Sequence, residues 1–254
     1  MQQNQIADGT AAELIYNLKD RKYELNKASE TVLTKNEIYS VSKILLESRA
    51  FTKQRMESII NKLLQYVVDL ESRKHMKSML ANEMFHYIQL KHGKDVVDLL
   101  GILAEAVREN RFLDIEYYKM QTDETIYRKI KPVALMFSEF YFYLIAFFCD
   151  GEKYPVIYRV DRLKKVEVLE NRFSVPYKDR FEEGELRKRI QFMQGGKLCK
   201  VLFTYSGQYL EAVLDKLPTA QVISQTEEGY KISAEVYGTG IEMWLKSQGE
   251  MINI

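Results

Sequence analysis

At residue 111 the spacing of apolar residues changes from the helical period to the alternation of strands. That switch restricts the chain to a multidomain α+β fold whose two halves are built by different rules. Before it, Thr34 and Glu37 have the spacing of a capping box, and Ile38, Val41, Ile44 and Leu45 follow at helical intervals. Thr52 opens a second helix with Met56, Ile59, Ile60, Leu63 and Val67 as its apolar positions. Met76, Met79, Leu80, Met84, Tyr87 and Ile88 mark a third, and Gly93 breaks the pattern before a fourth over Val96–Asn110. These helices read as a small bundle or connector. After the switch, Phe112, Ile115 and Tyr117 begin a strand. Thr125–Lys131, Phe140–Phe148, Val156–Arg162 and Lys165–Leu169 follow with tight turns between them. Five short, closely spaced strands predict a small twisted sheet closing into a barrel.

The two ends are built differently again. Ala11–Leu18 and Lys22–Leu25 flank the polar turn Lys19-Asp20-Arg21 and read as a hairpin too short to hold a core alone. Residues 170–196 form a polar connector in which the charged piece Asp179–Arg189 reads as a solvated helix, and Gly195-Gly196 marks a boundary. From there the pattern is strand, helix, strand, strand, helix, strand, the order of a ferredoxin-like split βαβ unit. The domain reading is therefore a hairpin over 1–30, a helical linker over 31–110, a barrel over 111–175, a connector over 176–196 and a C-terminal domain over 197–254.

Charge and composition exclude several functions. Lys and Arg number 37 against 36 Asp and Glu, a net charge of +1. A surface that grips duplex DNA needs a clustered excess of cations, so the whole chain is not a nucleic-acid glove, although a small basic pocket is compatible with neutrality. Three His leave little for imidazole metal sites, and Cys149 and Cys199 are too isolated for a disulfide framework. Both lie in apolar strand-like runs and read as buried thiols of a cytoplasmic protein. The opening MQQNQIADG lacks the basic start and apolar core of a signal peptide, and no apolar run has membrane-crossing length. Nucleotide-loop, zincin and nucleophile-elbow motifs are missing, so the chain reads as a non-enzyme without cofactor or metal.

What stands out is a concentration of charge on two strands. Tyr127-Arg128-Lys129-Ile130-Lys131-Pro132 and Tyr158-Arg159-Val160-Asp161-Arg162-Leu163-Lys164-Lys165 carry seven bases against the single acid Asp161. Tyr141-Phe142-Tyr143-Leu144 runs between them. Guanidinium forks and tyrosine faces suit a ligand with phosphates and bases. The competing reading is a solvated face on which Asp161 pairs with a neighbouring Arg.

Residues 112–173 resemble a WYL domain. Phe142-Tyr143-Leu144 matches the aromatic-Tyr-Leu strand, with Phe in place of the namesake Trp. Upstream, Arg128 is followed four residues later by Pro132; downstream, Tyr158-Arg159-Val160-Asp161-Arg162-Leu163 matches the family's aromatic-Arg-x-Asp-Arg element. Gly240-Ile241-Glu242-Met243-Trp244-Leu245-Lys246-Ser247-Gln248-Gly249 resembles the end of the C-terminal extension that accompanies these domains. The resemblance implies a small Sm-like or SH3-like β-barrel that senses a nucleotide or single-stranded nucleic acid. It further implies a homodimeric bacterial transcription regulator that reaches operator DNA through an N-terminal winged helix-turn-helix. It assigns the pocket to Arg128, Tyr143, Arg159 and Arg162, with Ser138 and Tyr141 beside them. Strict alternation puts Arg159 and Arg162 on opposite faces, so one binds while the other pairs with Asp161, and which does which stays open. The chain departs from the family in having no helix-turn-helix, which fits either a chain cut near the DNA-binding domain or a sensor-only member. The rival from another class is an interaction or oligomerisation module that takes no small ligand.

Overall fold

The computed structural model describes residues 33–67, 69–149, 154–175 and 180–253, together with the backbone of two strands, β1 (Ala12–Asn17) and β2 (Lys22–Lys27). The chain divides into two compact units, 1–95 and 96–254.

In the first unit β1 and β2 form an antiparallel ladder from Ala12↔Lys27 to Asn17↔Lys22. The turn expected at 19–21 lies outside the described residues. Three helices follow: α1 (Lys35–Ser48), α2 (Lys53–Gln65) and α3 (Leu70–Phe85). Each starts where a side chain can accept from an otherwise orphaned backbone N–H. Thr34 and Glu37 close a full capping box, Thr52 accepts from the Arg55 amide, and Asp69 accepts from the Ser72 amide. Ile38, Leu46, Met56, Ile60, Leu64, Met76 and Leu80 share one core. Val41, Ile44, Met79 and Ile88, which the helical spacing grouped with them, are exposed. Three short helices meet along a narrow seam, and residues at its flanks stay outside it.

The second unit begins with α4 (Val97–Arg108), which packs on strands rather than on other helices. Leu103 and Ala106 share a core with Leu113, Ile115, Ile130, Leu144 and Tyr158. The strands are β3 (Arg111–Lys119), β4 (Glu124–Ser138), β5 (Tyr141–Phe148), β6 (Val156–Arg159) and β7 (Leu163–Arg172). They form one antiparallel sheet in the order β6-β5-β4-β3-β7. The sheet does not close into the expected barrel. Strand β6 has four residues, and the chain then turns through a 3-10 helix at Val160–Arg162 before β7, so the two outer strands make no ladder with each other.

Strand β4 carries the feature that decides which residues share a face. Its first half pairs with β3 as far as Leu113↔Ile130, and its second half pairs with β5 from Ile130↔Phe148 to Ser138↔Tyr141. Pro132 lies beyond the stretch paired with β3, where its missing N–H costs no ladder bond to that strand. The register shifts between Pro132 and Ala134. A bulge adds one residue, and with a side-chain period of two every later residue changes face. Ile130 therefore joins the α4 side of the sheet, whereas Ala134 and Met136 join the other side, with Ile145.

That other side is covered by α5 (Glu183–Arg189) and the turn after it, through Leu186, Ile190 and Met193. The segment read as a solvated helix is thus amphipathic, with Leu186 buried beneath its charged face. The last elements are β8 (Leu198–Tyr205), α6 (Leu210–Lys216), β9 (Gln221–Thr226), β10 (Gly229–Tyr237), α7 (Gly240–Ser247) and β11 (Ile252–Asn253). Their sheet is antiparallel in the order β11-β8-β10-β9. Trp244 is buried with Phe203, ring centroids 6.2 Å apart, in a core shared with Val213, Leu217 and Ile232. Chain passage between the two sheets is tight: a Cβ on Gly240 would lie 2.0 Å from the Gln191 carbonyl oxygen. Cys199, expected inside, is exposed, and Cys149 is half-buried.

Candidate functional site

Five of the residues singled out by charge and aromaticity come together at the β5–β6 edge. Tyr143 stands opposite Met136 on β4 and Arg159 on β6, and Tyr141 stands opposite Ser138. Alternation keeps Tyr141 and Tyr143 on one face, and their rings meet edge-on with centroids 6.4 Å apart. The guanidinium carbon of Arg159 lies 3.4 Å from the Tyr141 ring centroid. The same guanidinium donates twice to the Asp161 carboxylate, from Nε at 3.0 Å and from Nη2 at 2.8 Å. Asp161 is buried, so this fork meets little competition from water. Burial on its own would lower the Arg159 pKa; the hydrogen bond and charge of Asp161 outweigh it and hold the group above its usual value. Burial pushes the Tyr143 phenol up, while the charges of Arg159 and Arg162 pull the other way.

Arg162 reaches the same place by a different route. Strict alternation would have sent it to the face opposite Arg159, but residues 160–162 form a 3-10 turn, to which the strand period does not apply. Its Nε is buried without a hydrogen-bond partner, and its Nη2 is 3.8 Å from the Met120 sulfur. The question of which arginine is tied up is thereby answered: Arg159 pairs with Asp161, and Arg162 keeps an unsatisfied donor. An orphaned buried N–H is costly and uncommon, and it marks a position where a ligand atom would be rewarded.

Arg128 does not join this group. It stands opposite Ile115, whose side chain belongs to the α4 side, whereas Tyr143 is on the side covered by α5. The β4–β5 pairing separates them: Phe148 stands opposite Ile130 on the α4 side, and Tyr143, five residues back along β5, points the other way. The guanidinium of Arg128 donates to the Tyr127 carbonyl and is otherwise exposed. Its groove is lined by Lys129 and Lys165, but also by Asp114, Glu116 and Glu167. The ladder puts Asp114 opposite Lys129 and Glu116 opposite Lys165. Seven bases to one acid holds along the two segments, but β3 and β7 insert carboxylates between them. The signal that could have found these acids is the strand order, since β3 lies between β4 and β7.

Chemically the β5–β6 cluster offers a fixed fork, a second guanidinium with an unused donor, and two phenols with flat faces. That equipment recognises anions and rings. Among the described residues no group of three or more His, Cys, Asp or Glu is arranged to hold a metal ion. No helix among them is long and apolar enough to cross a membrane.

A family model described as the WYL domain matches residues 98–168, a span that runs from α4 to β7 and contains the whole cluster. No curated protein sequence matches the chain. Of solved structures, proteasome accessory factor B/C (PafBC) of Arthrobacter aurescens is similar at 16% identity and a TM-score of 0.35, over 91% of this chain and 34% of that one. A CRISPR Cas-related protein is similar at 12% identity and a TM-score of 0.39, over 89% of this chain and 69% of its own. The chain thus spans about a third of the PafBC length.

Proposed function

We propose, from the WYL domain that this chain carries at residues 98–168, that the protein is the sensing part of a transcription regulator. Its ligand is a nucleotide or a short single-stranded nucleic acid, held by Arg162, Tyr143 and Tyr141, with Arg159 positioned by Asp161. The observation that carries this reading is the buried, unpartnered Nε of Arg162, a guanidinium whose charge reaches the Tyr143 phenol. A phosphate oxygen would satisfy that donor, and a base would find an aromatic face. We read the strand order β6-β5-β4-β3-β7 behind α4 as an open Sm-like or SH3-like sheet, and β11-β8-β10-β9 as ferredoxin-like. In this reading a cytoplasmic homodimer couples ligand occupancy to the arrangement of DNA-binding heads, and Arg128 takes no part in the pocket.

Fluorescence anisotropy with short single-stranded DNA tests it. The native chain should bind with salt-dependent affinity. Arg162→Ala should weaken binding at least about tenfold, the worth of one charge-assisted hydrogen bond. Equal, salt-insensitive binding by both chains overturns the reading. The second reading, an interaction module without a small ligand, draws on the completeness of the Arg159–Asp161–Tyr141 contact, which needs no ligand to explain it. It predicts that neither nucleotides nor single strands bind, and that Arg162→Ala changes self-association instead.

A further inference from the structure

At the far end of β5 from Tyr143 is a groove of about 540 Å³ where Lys131 on β4, Phe147 on β5, the C-terminal end of α4 and the segment after β7 converge. Three cations line it, Arg108, Lys131 and Arg180, and no carboxylate appears among its described lining residues. This imbalance distinguishes it. The neighbouring groove sets Arg180 and Lys197 against Glu182 and Glu185, and the Arg128 groove sets three bases against three acids. Its apolar walls are aromatic, chiefly Phe147, Phe173 and Phe181, with the Phe147 and Phe181 rings edge-on at 6.2 Å. Arg108 is held at the rim by Glu105 and Glu109, and the Phe173 amide donates to the Asn110 carbonyl at 2.8 Å, which fixes the chain along one edge. Lys131 forms no ion pair or hydrogen bond with the described residues, so its charge is available.

We propose that this groove is a second ligand site, built for an organic phosphate that carries a flat ring and is about the size of a mononucleotide. The volume falls within the usual range of roughly 300–1,000 Å³ for small-molecule sites. Lys131 acts on the phosphate as a point charge, and the phenylalanines cover the ring. The site is separate from the Tyr143 cluster: the two lie four residues apart on β5, about 13 Å of strand rise. Leu186, Ile190 and Met193 occupy the sheet face around Ala134, Met136 and Ile145.

Calorimetric titration of the full chain with adenosine monophosphate, adenosine and inorganic phosphate tests the proposal. The monophosphate should bind at least about tenfold more tightly than either fragment, because both halves of the groove contribute only to it. Lys131→Gln should weaken it about tenfold, and Lys131→Arg, which keeps the charge, should retain binding within about threefold, with melting temperatures of both variants matching the native chain. Arg162→Ala should leave the Lys131-dependent component of this binding in place. Loss of binding in Arg162→Ala with retention in Lys131→Gln overturns the proposal and assigns the nucleotide to the Tyr143 cluster. No binding of the monophosphate, or phosphate binding equal to it, overturns the proposal as well and leaves the reading of that cluster to its own test.

Discussion

Arg159 lies over the ring of Tyr141, its guanidinium carbon 3.4 Å from the centroid, while Asp161 accepts from two of its three nitrogens, Nε and Nη2. The stack and the fork depend on each other, because the carboxylate fixes the plane that the ring receives. Asp161→Asn removes the charge and leaves a partly buried guanidinium with a weaker acceptor. The variant is expected to lose about 2 kcal/mol of stability, in the range for a hydrogen bond between charged partners, measured by chemical denaturation. A loss below about 0.5 kcal/mol would place the pair with ordinary surface bridges.

Arg162 behaves oppositely. Its buried Nε has no hydrogen-bond partner, so the folded state carries an uncompensated desolvation cost. Arg162→Met keeps the aliphatic volume and removes that atom. The expected outcome is a chain stabilised by about 1 kcal/mol, read as a higher melting temperature, that binds single-stranded DNA more weakly. Destabilisation by the same substitution would make Arg162 a structural residue.

These two arginines measure how much the sequence discloses. The pairing of basic residues with tyrosines around Phe142-Tyr143-Leu144 is legible because it depends on residue type. The helix starts at Thr34 and Thr52 are legible because capping is local. The faces are not. Alternation counted from Arg128 runs without interruption in the sequence, but the added residue near Val133 reverses it. The 3-10 turn at residues 160–162 likewise moves Arg162 off the strand period. The carboxylates of Asp114, Glu116 and Glu167 face the basic strands only through pairing with distant segments, which local patterns do not encode. Closure failed as an expectation because strand number and spacing say nothing of how long the edge strands pair.

Tyr143 should make stability fall at alkaline pH. Burial raises its pKa above the ordinary 10.0, so the unfolded phenol ionises first. Between the unfolded and folded values the unfolded state binds fewer protons, and the slope of stability against pH is negative. The contribution is complete below pH 10 and disappears as pH rises through the folded value. Tyr87, raised by burial, and Tyr118, raised by its hydrogen bond to Asp123, act in the same direction. The comparison that isolates Tyr143 is therefore native against Tyr143→Phe, melted from neutral to alkaline pH. The variant should lose less stability across that range, and parallel curves would contradict the burial of the phenol.

Arg128→Ala tests the separation of the two faces of the sheet. The motif that names Arg128 also names Pro132, but Ile130 pairs with Phe148, and alternation along β5 from there puts Tyr143 on the opposite face of the sheet from Arg128. The Arg128 side chain is exposed, its guanidinium donates to the neighbouring Tyr127 carbonyl, and its groove already holds three carboxylates. Removing it deletes one exposed charge from a nearly neutral surface. Stability should change by less than about 0.5 kcal/mol, as for most surface substitutions away from special features. Anisotropy with single-stranded DNA should stay within about twofold of the native chain, against at least about tenfold for Arg162→Ala, because only Arg162 presents an unsatisfied donor beside Tyr143. If Arg128→Ala weakens binding as much as Arg162→Ala does, the ligand spans the sheet edge and touches both faces, and the cluster at β5 and β6 is only part of the site.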